Sequence, residues 1–339
     1  MKRIFWLFRT NLRNLEYYHA YKNSNVFKEK CHDFYLLQGI WFLENDIFDE
    51  VIIWRLQPKG KNIKDIIFNI NGKLFIQRFV KNFNECFNYE KPMITFFRGG
   101  FRDYCDLIRK DKKFFGRSLY LGAGKRIYPI FGGVYDKILI ESEKDENPKF
   151  NTIPFYKTSN QNIFKPLNLV KKYDICWICN FTQIKQKGQG FFINEISKSN
   201  YLKKIRIVHI GNEEKLGKKL CDKYNVYNIE FLGKLEREKI NEILNQSKIG
   251  IVTSNKSDGC PRISTEILSS GTPLLIRDQT RLLDIYKTFG VVQFNDKDLN
   301  YKTEYAFKKY EKLKKFLLSN FEIFDIDNVC KNNLKLWFE

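Results

Sequence analysis

The sequence predicts an α/β fold built as two Rossmann-like domains, and three observations carry that reading. Short apolar runs alternate with helical patterns along most of the chain, the signature of βαβ units and parallel sheets. In the second half several of those runs end on glycine (Gly211, Gly233), and one helix pattern opens at Pro261 and closes at Gly271, the polarity expected of those two residues. The length, 339 residues, is about two domains at roughly 150 residues each.

Taken in order, residues 4–8 are apolar and read as a buried first strand, followed by a polar stretch, 9–14. A helical pattern lies around 34–44 and a second strand at 51–54. Residues 59–75 read either as a charged loop or as a hairpin around Asn71-Gly72. A third strand, 93–97, runs directly into Arg98-Gly99-Gly100 and a helical pattern over 101–110; a fourth, 137–140, ends in Glu141-Ser142-Glu143. Residues 144–168 are connecting chain, and the boundary falls near 155–168, giving domains of 1–158 and 159–305 and a helical segment, 306–339, that packs back on the first.

The second domain reads as strand 173–181, polar loop 182–190, helix 191–198, strand 204–210, helix 215–224, strand 229–232, helix 236–245 and strand 248–253. Helix 262–270, strands 273–276 and 291–294, and a single basic helix over 303–318 complete it. In such a doubly wound domain ligands are expected beyond the carboxyl ends of the strands.

Composition narrows the class. A hydrophobic share of 43% excludes wholesale disorder. Lys+Arg 59 against Asp+Glu 39 leaves +20 and points to anionic partners without choosing among them. No apolar run approaches the ~18 residues of a membrane span, and the apolar start breaks at Arg9, too soon for a signal peptide; the protein reads as cytosolic. Eight cysteines form no disulfide framework. Cys176-Trp177-Ile178-Cys179 lies inside a strand-like run, where residues three apart face opposite ways, so these thiols are expected to be buried and structural. His209, also in a strand, is expected to be a satisfied buried histidine rather than a catalytic one.

The chemistry concentrates in residues 254–266, between a strand and a helix. Free amides at a helix N-terminus, those of Gly259, Cys260, Arg262 and Ile263 (Pro261 has none), suit a phosphate, and Gly259 lets a ligand approach the backbone. Glu266, four residues past Arg262, could hold a ribose diol, as acidic residues do in other nucleotide folds. Asp258 could reach the hydroxyls of a second sugar. Taken singly, Glu266 would pair with Arg262 on a solvated helix face and Asp258 would be a turn residue. Their joint spacing between a strand and a Gly-ended helix favours the ligand.

Asp258-x7-Glu266, in its surrounding Asp-Gly-Cys-Pro-Arg-Ile-Ser-Thr-Glu, resembles the Glu-x7-Glu region of family-four glycosyltransferases, retaining enzymes that use nucleotide sugars. Asn162-Ile163-Phe164-Lys165-Pro166 is similar to their interdomain Phe-x-Pro element, 180–188 to their phosphate loop, and 207–211 with 231–235 to their next two strand ends. The resemblance covers residues 135–294 and implies the GT-B fold, two facing Rossmann-like domains with the active-site cleft between them. It implies that Glu266 holds the donor ribose, that Asp258 contacts the donor sugar, that amides of 260–263 bind the diphosphate and that Lys187 neutralises the leaving phosphate. Stabilisation would come from fixed donors rather than a metal.

Two positions depart from the family. The first acid is Asp, one methylene shorter than Glu, and the family's Arg after the first strand is absent; Asn180 or Gln183 falls near its place, with Lys185 as substitute charge. Arg98 is expected to line the cleft from the acceptor domain, while none of the three His (His19, His32 and His209) matches the one many relatives carry there; His19 follows the first strand at a distance that fits a helix better than a loop. The expected activity is metal-independent transfer of a hexose from a UDP or GDP donor, without a cofactor, to a glycan or lipid-linked hydroxyl. The basic stretch 308–315 reads as a solvated helix face or a peripheral contact with anionic lipid. Asp325-Ile326-Asp327 matches a metal motif of another fold but has no strand before it. Two other classes stay open: a nucleotide-sugar-binding protein without transferase activity, and a nucleic-acid-binding protein, against which stands the absence of any RNP or zinc-finger signature.

Overall fold

The computed structural model describes residues 1–8, 29–31, 33–57, 60, 62–99, 101–121, 133–181, 184–255 and 261–339. The chain forms two compact units: Met1–Tyr156 with Cys330–Glu339, and Lys157–Val329. Residues 306–329 therefore go with the second unit and only the last ten with the first.

The first unit carries β1 (Arg3–Phe8), α1 (Phe34–Glu44), β2 (Glu50–Leu56), β3 (Ile66–Ile70), β4 (Lys73–Val80), β5 (Ile94–Arg98), α2 (Phe101–Lys110), β6 (Arg117–Leu121), β7 (Lys137–Ile140) and β8 (Thr152–Pro154). They make one sheet in the order β3-β4-β2-β1-β5-β6-β7-β8, parallel but for the β3–β4 pair. That pair makes residues 66–80 a hairpin: Asn71 and Gly72 take φ of 52° and 80°, which a two-residue turn between twisted strands requires. β1, β2 and β5 are almost wholly buried, because a parallel sheet is covered on both faces. β6, most of β4 and β8 were not anticipated as strands, the last lying in the stretch 144–168 read as connecting chain.

The second unit carries β9 (Tyr173–Ile178), α3 (Gln189–Lys198), β10 (Ile207–Ile210), α4 (Glu214–Tyr224), β11 (Ile229–Phe231), α5 (Arg237–Asn245), β12 (Ser247–Val252), α6 (Arg262–Ser269), β13 (Leu274–Arg277), β14 (Val291–Phe294), α7 (Leu299–Lys308) and α8 (Tyr310–Ser319). Its sheet runs β11-β10-β9-β12-β13-β14, parallel throughout. A last helix, α9 (Ile326–Phe338), carries the chain from one unit to the other. The basic helix expected over 303–318 is two, broken at Lys309, whose ψ of 11° leaves the α range.

The order β9, β10 on one side and β12, β13 on the other makes the carboxyl end of β9 a switch point, where open α/β sheets bind ligands. α6 lies close on the sheet there: a β-carbon on Gly250 of β12 would stand 2.6 Å from Ile267 of α6. That contact presses the helix carrying Glu266 onto the strand.

Cys176 is fully buried on β9, and burial pushes its thiol well above the ordinary cysteine range. Cys179, just past the strand, is only half-buried and lies 3.7 Å from His209 Nε2. No helix of the described residues is long and apolar enough to cross a membrane.

Candidate active site

The carboxyl ends of β9 and β12 are joined through two short segments. After β9 comes a helical turn, Ile184–Lys187; after β12 come Thr253, Ser254 and Asn255. Thr253 Oγ1 donates to the Lys187 carbonyl at 2.7 Å, and the Asn255 amide donates to the Gln186 carbonyl at 3.0 Å. Gly188, at φ +72°, makes the junction possible, because a β-carbon there would overlap the Thr253 carbonyl. The turn bearing Lys187 is thus fixed to the segment that leads toward Asp258.

α6 opens beside it. Pro261 occupies the N-cap position with φ −65° and, among the described residues, no side chain caps the helix start, an N-terminus of the kind that favours anions. Pro261 is buried, Ile263 half-buried and Arg262 exposed. Asp258, Gly259 and Cys260 lie outside the described residues, as do Gln183, His19 and His32.

Glu266 does not sit on a solvated face. It is only 2% exposed, and Nη1 of Arg237 donates to both of its carboxylate oxygens at 3.1 Å. The pairing with Arg262 is present but longer, Nε to Oε1 at 3.5 Å, and that guanidinium is half in solvent. Two cations thus converge on one buried carboxylate, leaving a net +1 beside the uncapped start of α6. A carboxylate offers about four acceptor sites, so the pairing leaves room for a hydroxyl pair.

Arg237 was missed in the sequence. It is the first residue of α5, two positions past the β11 strand-end motif Phe231-Leu232-Gly233-Lys234-Leu235. The signal was present: a cation at a helix start opposes the dipole, and such a residue needs a carboxylate elsewhere.

The remaining candidates disperse. Asn180 is exposed, its Oδ1 accepting from the Asn212 amide at 2.9 Å and its carbonyl from Gln189 Nε2 at 2.6 Å. Lys185 lies on the helical turn beside Lys187. Arg98 belongs to the first unit, at the end of β5, with its guanidinium 4.1 Å over the Tyr35 ring and 5.7 Å over Phe8.

His209 is fully buried, ringed by Trp177, Phe181 and Phe231 at 4.9–5.1 Å. Its Nε2 lies 2.9 Å from the Cys179 carbonyl, and burial lowers its pKa from 6.5 to about 4. It is buried, as its place in a strand predicted, but only Nε2 is satisfied: Nδ1 has no hydrogen-bond partner among the described residues. Among the described residues no cluster of three or more His, Cys, Asp or Glu side chains could hold a metal ion.

Residues 161–317 match the family described as glycosyl transferases group 1. The matched stretch lies within the second unit and is a little under half of the chain. Solved structures match the chain along nearly its whole length. A sucrose-phosphate synthase from Thermosynechococcus elongatus aligns with TM-score 0.66 at 10% identity, covering 99% of this chain and 98% of that one. A glycosyltransferase from Rickettsia africae gives 0.64 at 14% identity, covering 99% and 97%. HepE from Anabaena, in complex with UDP and glucose, gives 0.61 at 10% identity, covering 99% of each chain. At such identities the likeness establishes the fold, two Rossmann-like units of the GT-B type. No curated protein matches the chain in sequence.

Proposed function

We propose that this glycosyltransferase moves a hexose from a UDP or GDP donor to a hydroxyl of a glycan or lipid-linked acceptor, with retention at the sugar carbon. The observation that carries the reading is the buried Glu266, held by Arg237 and Arg262 at the uncapped start of α6. A ribose diol would take the carboxylate's remaining acceptor sites. The diphosphate would meet the first amides of α6, Arg262 and the Lys187 ammonium. When the bond from the sugar carbon to the phosphate oxygen breaks, negative charge grows on the diphosphate, and donors already in place stabilise it without reorganising. The acceptor oxygen bonds to the same carbon and its proton passes to the departing diphosphate, so charge and atoms balance.

Asp258 is assigned the donor sugar's hydroxyls. Arg98, at the carboxyl edge of the first sheet, is assigned to the acceptor; Asn180 and Lys185 are assigned to the loop around the phosphates. The lysine-rich stretch 308–315, across the break between α7 and α8, suits peripheral contact with an anionic membrane, where a lipid-linked acceptor would be met at the cytoplasmic face.

The test is a nucleotide-sugar panel read by thermal shift. We expect UDP- or GDP-sugars to raise the melting temperature and Glu266→Ala to abolish the rise. A panel in which no nucleotide sugar binds, while an oligonucleotide does so with steep salt dependence, would overturn the reading in favour of nucleic-acid binding. Binding without turnover toward any acceptor or water would favour a non-catalytic nucleotide-sugar protein.

A further inference from the structure

At the amino ends of β9, β10 and β11, the end of the second sheet remote from Lys187, lies an open groove of about 470 Å³. Its lining includes Lys172, Tyr173, Lys204, Arg206, Tyr227 and Glu230. β9 is six residues long, about 20 Å at ~3.3 Å per residue, so the groove is no part of the site at the carboxyl ends. Its volume falls within the ~300–1,000 Å³ typical of small-ligand pockets.

Three cations stand against one carboxylate in this lining. Lys172 and Lys204 are exposed, and neither meets a carboxylate among the described residues. The Arg206 amide donates to Asp174 Oδ2 at 2.8 Å, and its Nε lies 3.7 Å from the same oxygen. Lys248 donates to the other oxygen of that carboxylate at 2.9 Å. Asp174 is therefore already neutralised, and the Arg206 side chain, 63% exposed, keeps charge to offer. Surplus positive charge gathered on one concave surface attracts an anion.

Other groups of the lining have no use for an inorganic anion. Tyr227 is 75% exposed, the most exposed aromatic side chain among the described residues. Its neighbours in the chain are anchored: Val226 is buried, and Asn228 donates through Nδ2 to the carbonyls of Leu202 and Ile205 at 2.7 and 2.8 Å. The ring is thus a platform held out beside the cations, and fixing its two side-chain torsions costs little entropy. Glu230 lies near the Tyr173 phenol, whose pKa is raised by burial and by that carboxylate. A protonated phenol and a carboxylate offer a donor and an acceptor to hydroxyls. An acid in the lining also disfavours a ligand that is anionic throughout. DNA and acidic peptides carry charge at every unit and bring Glu230 no run of hydroxyls. A sugar ring bearing one anionic group supplies the charge, the hydroxyls and a flat apolar face together.

We propose that this groove is a second, non-catalytic binding site for a saccharide carrying a phosphate or carboxylate group. Lys172, Lys204 and Arg206 take the anion, Tyr227 the ring face and Glu230 the hydroxyls. The site stands apart from the proposed transfer reaction and does not depend on it. Its ligand comes either as a free sugar phosphate or as the acidic unit of a glycan chain.

The experiment is titration calorimetry on the full chain with glucose 6-phosphate and tetragalacturonate as probes. Maltotetraose, tetraglutamate and a short DNA strand are the comparisons. The variants are Tyr227→Ala and the double exchange Lys172→Gln with Lys204→Gln, all at exposed side chains, so the fold is kept. We expect an acidic saccharide to bind the wild type, more weakly as salt rises, and each variant to lose about tenfold in affinity. The melting-temperature shift given by nucleotide sugars should be the same in the variants as in the wild type. Preference for tetragalacturonate identifies a glycan chain as the source, and preference for glucose 6-phosphate a free sugar phosphate. The assignment is overturned if neither acidic saccharide binds, if a comparison ligand binds as tightly, or if both variants bind like the wild type. A wild type that binds the acidic saccharide but no nucleotide sugar keeps this site and sinks the transfer reading instead.

Discussion

At the scale of single residues, the pairing of Glu266 with Arg237 decides between structural and ligand-binding roles. Breaking a buried ion pair by removing one partner costs ~3–5 kcal/mol; Arg237 is a quarter exposed and Arg262 remains nearby, so Arg237→Met should cost about 2 kcal/mol, below that range. Arg237→Met with Glu266→Leu should recover most of that loss, since buried pairs often exchange for apolar residues at little cost, yet bind no nucleotide. Urea unfolding beside nucleotide titration separates the two effects; recovery of both would make the pair merely structural. His209 supplies a pH signature. Its folded pKa, about 4, lies below the unfolded 6.5, so the unfolded chain binds the extra proton. Its contribution is intact above pH 6.5 and is lost as pH falls toward 4, by about 3 kcal/mol at 1.36 kcal/mol per unit. His209→Asn should flatten this part of the stability-against-pH curve; an unchanged slope between pH 6.5 and 4 would rule out the assignment. Glu266 could be singled out in the sequence because the motif that carries it is local. Arg237 was not, since its partner lies 29 residues away and only the sheet order brings them together.

At the scale of elements, the turn Ile184–Lys187 and the end of β12 act as one piece. Gly188→Ala puts a β-carbon into the Thr253 carbonyl at φ +72°. The strained φ alone costs more than the usual 0.4–1 kcal/mol of a glycine exchange, and the displaced turn should weaken donor binding at least tenfold. Lys187→Met, by contrast, should leave the melting temperature unchanged and lower turnover. If Gly188→Ala binds donor normally, the junction is not what positions the lysine. Strands and helices were read well where apolar runs were long and bounded by glycine or proline, as with β9, β12 and α6. β6 escaped because Arg117-Ser118-Leu119-Tyr120-Leu121 is short and follows Phe114-Phe115, so its apolar content merged with the preceding turn. The break at Lys309 escaped because lysine-rich sequence continues smoothly across it, and no glycine or proline marks the change of backbone angle.

At the scale of the whole molecule, the charge first read as a general call for anions separates into unlike parts. Arg237 and Arg262 converge on Glu266 in α6, and lysines cluster over residues 308–315. The chain's last ten residues are also more than a tail. Trp337 is fully buried in the first unit, with ring centroids 5.9, 6.0 and 6.3 Å from Phe42, Phe96 and Phe155. The carbonyls before and at it accept from Lys137 at 2.6 Å and from Arg117, and Asn333 brackets Tyr156 with bonds of 3.0 and 2.9 Å. The core of the first unit is therefore completed by side chains from the far end of the chain. Trp337→Ala should cost ~3–5 kcal/mol, as for large aromatic truncations in cores. Deletion of residues 330–339 should lower the unfolding transition of the first unit while the nucleotide-dependent shift of the second survives. Calorimetry with and without donor resolves this: a first transition that stays in place after deletion would mean that α9 closes nothing, and one that moves together with the nucleotide response would mean that the two units melt as one.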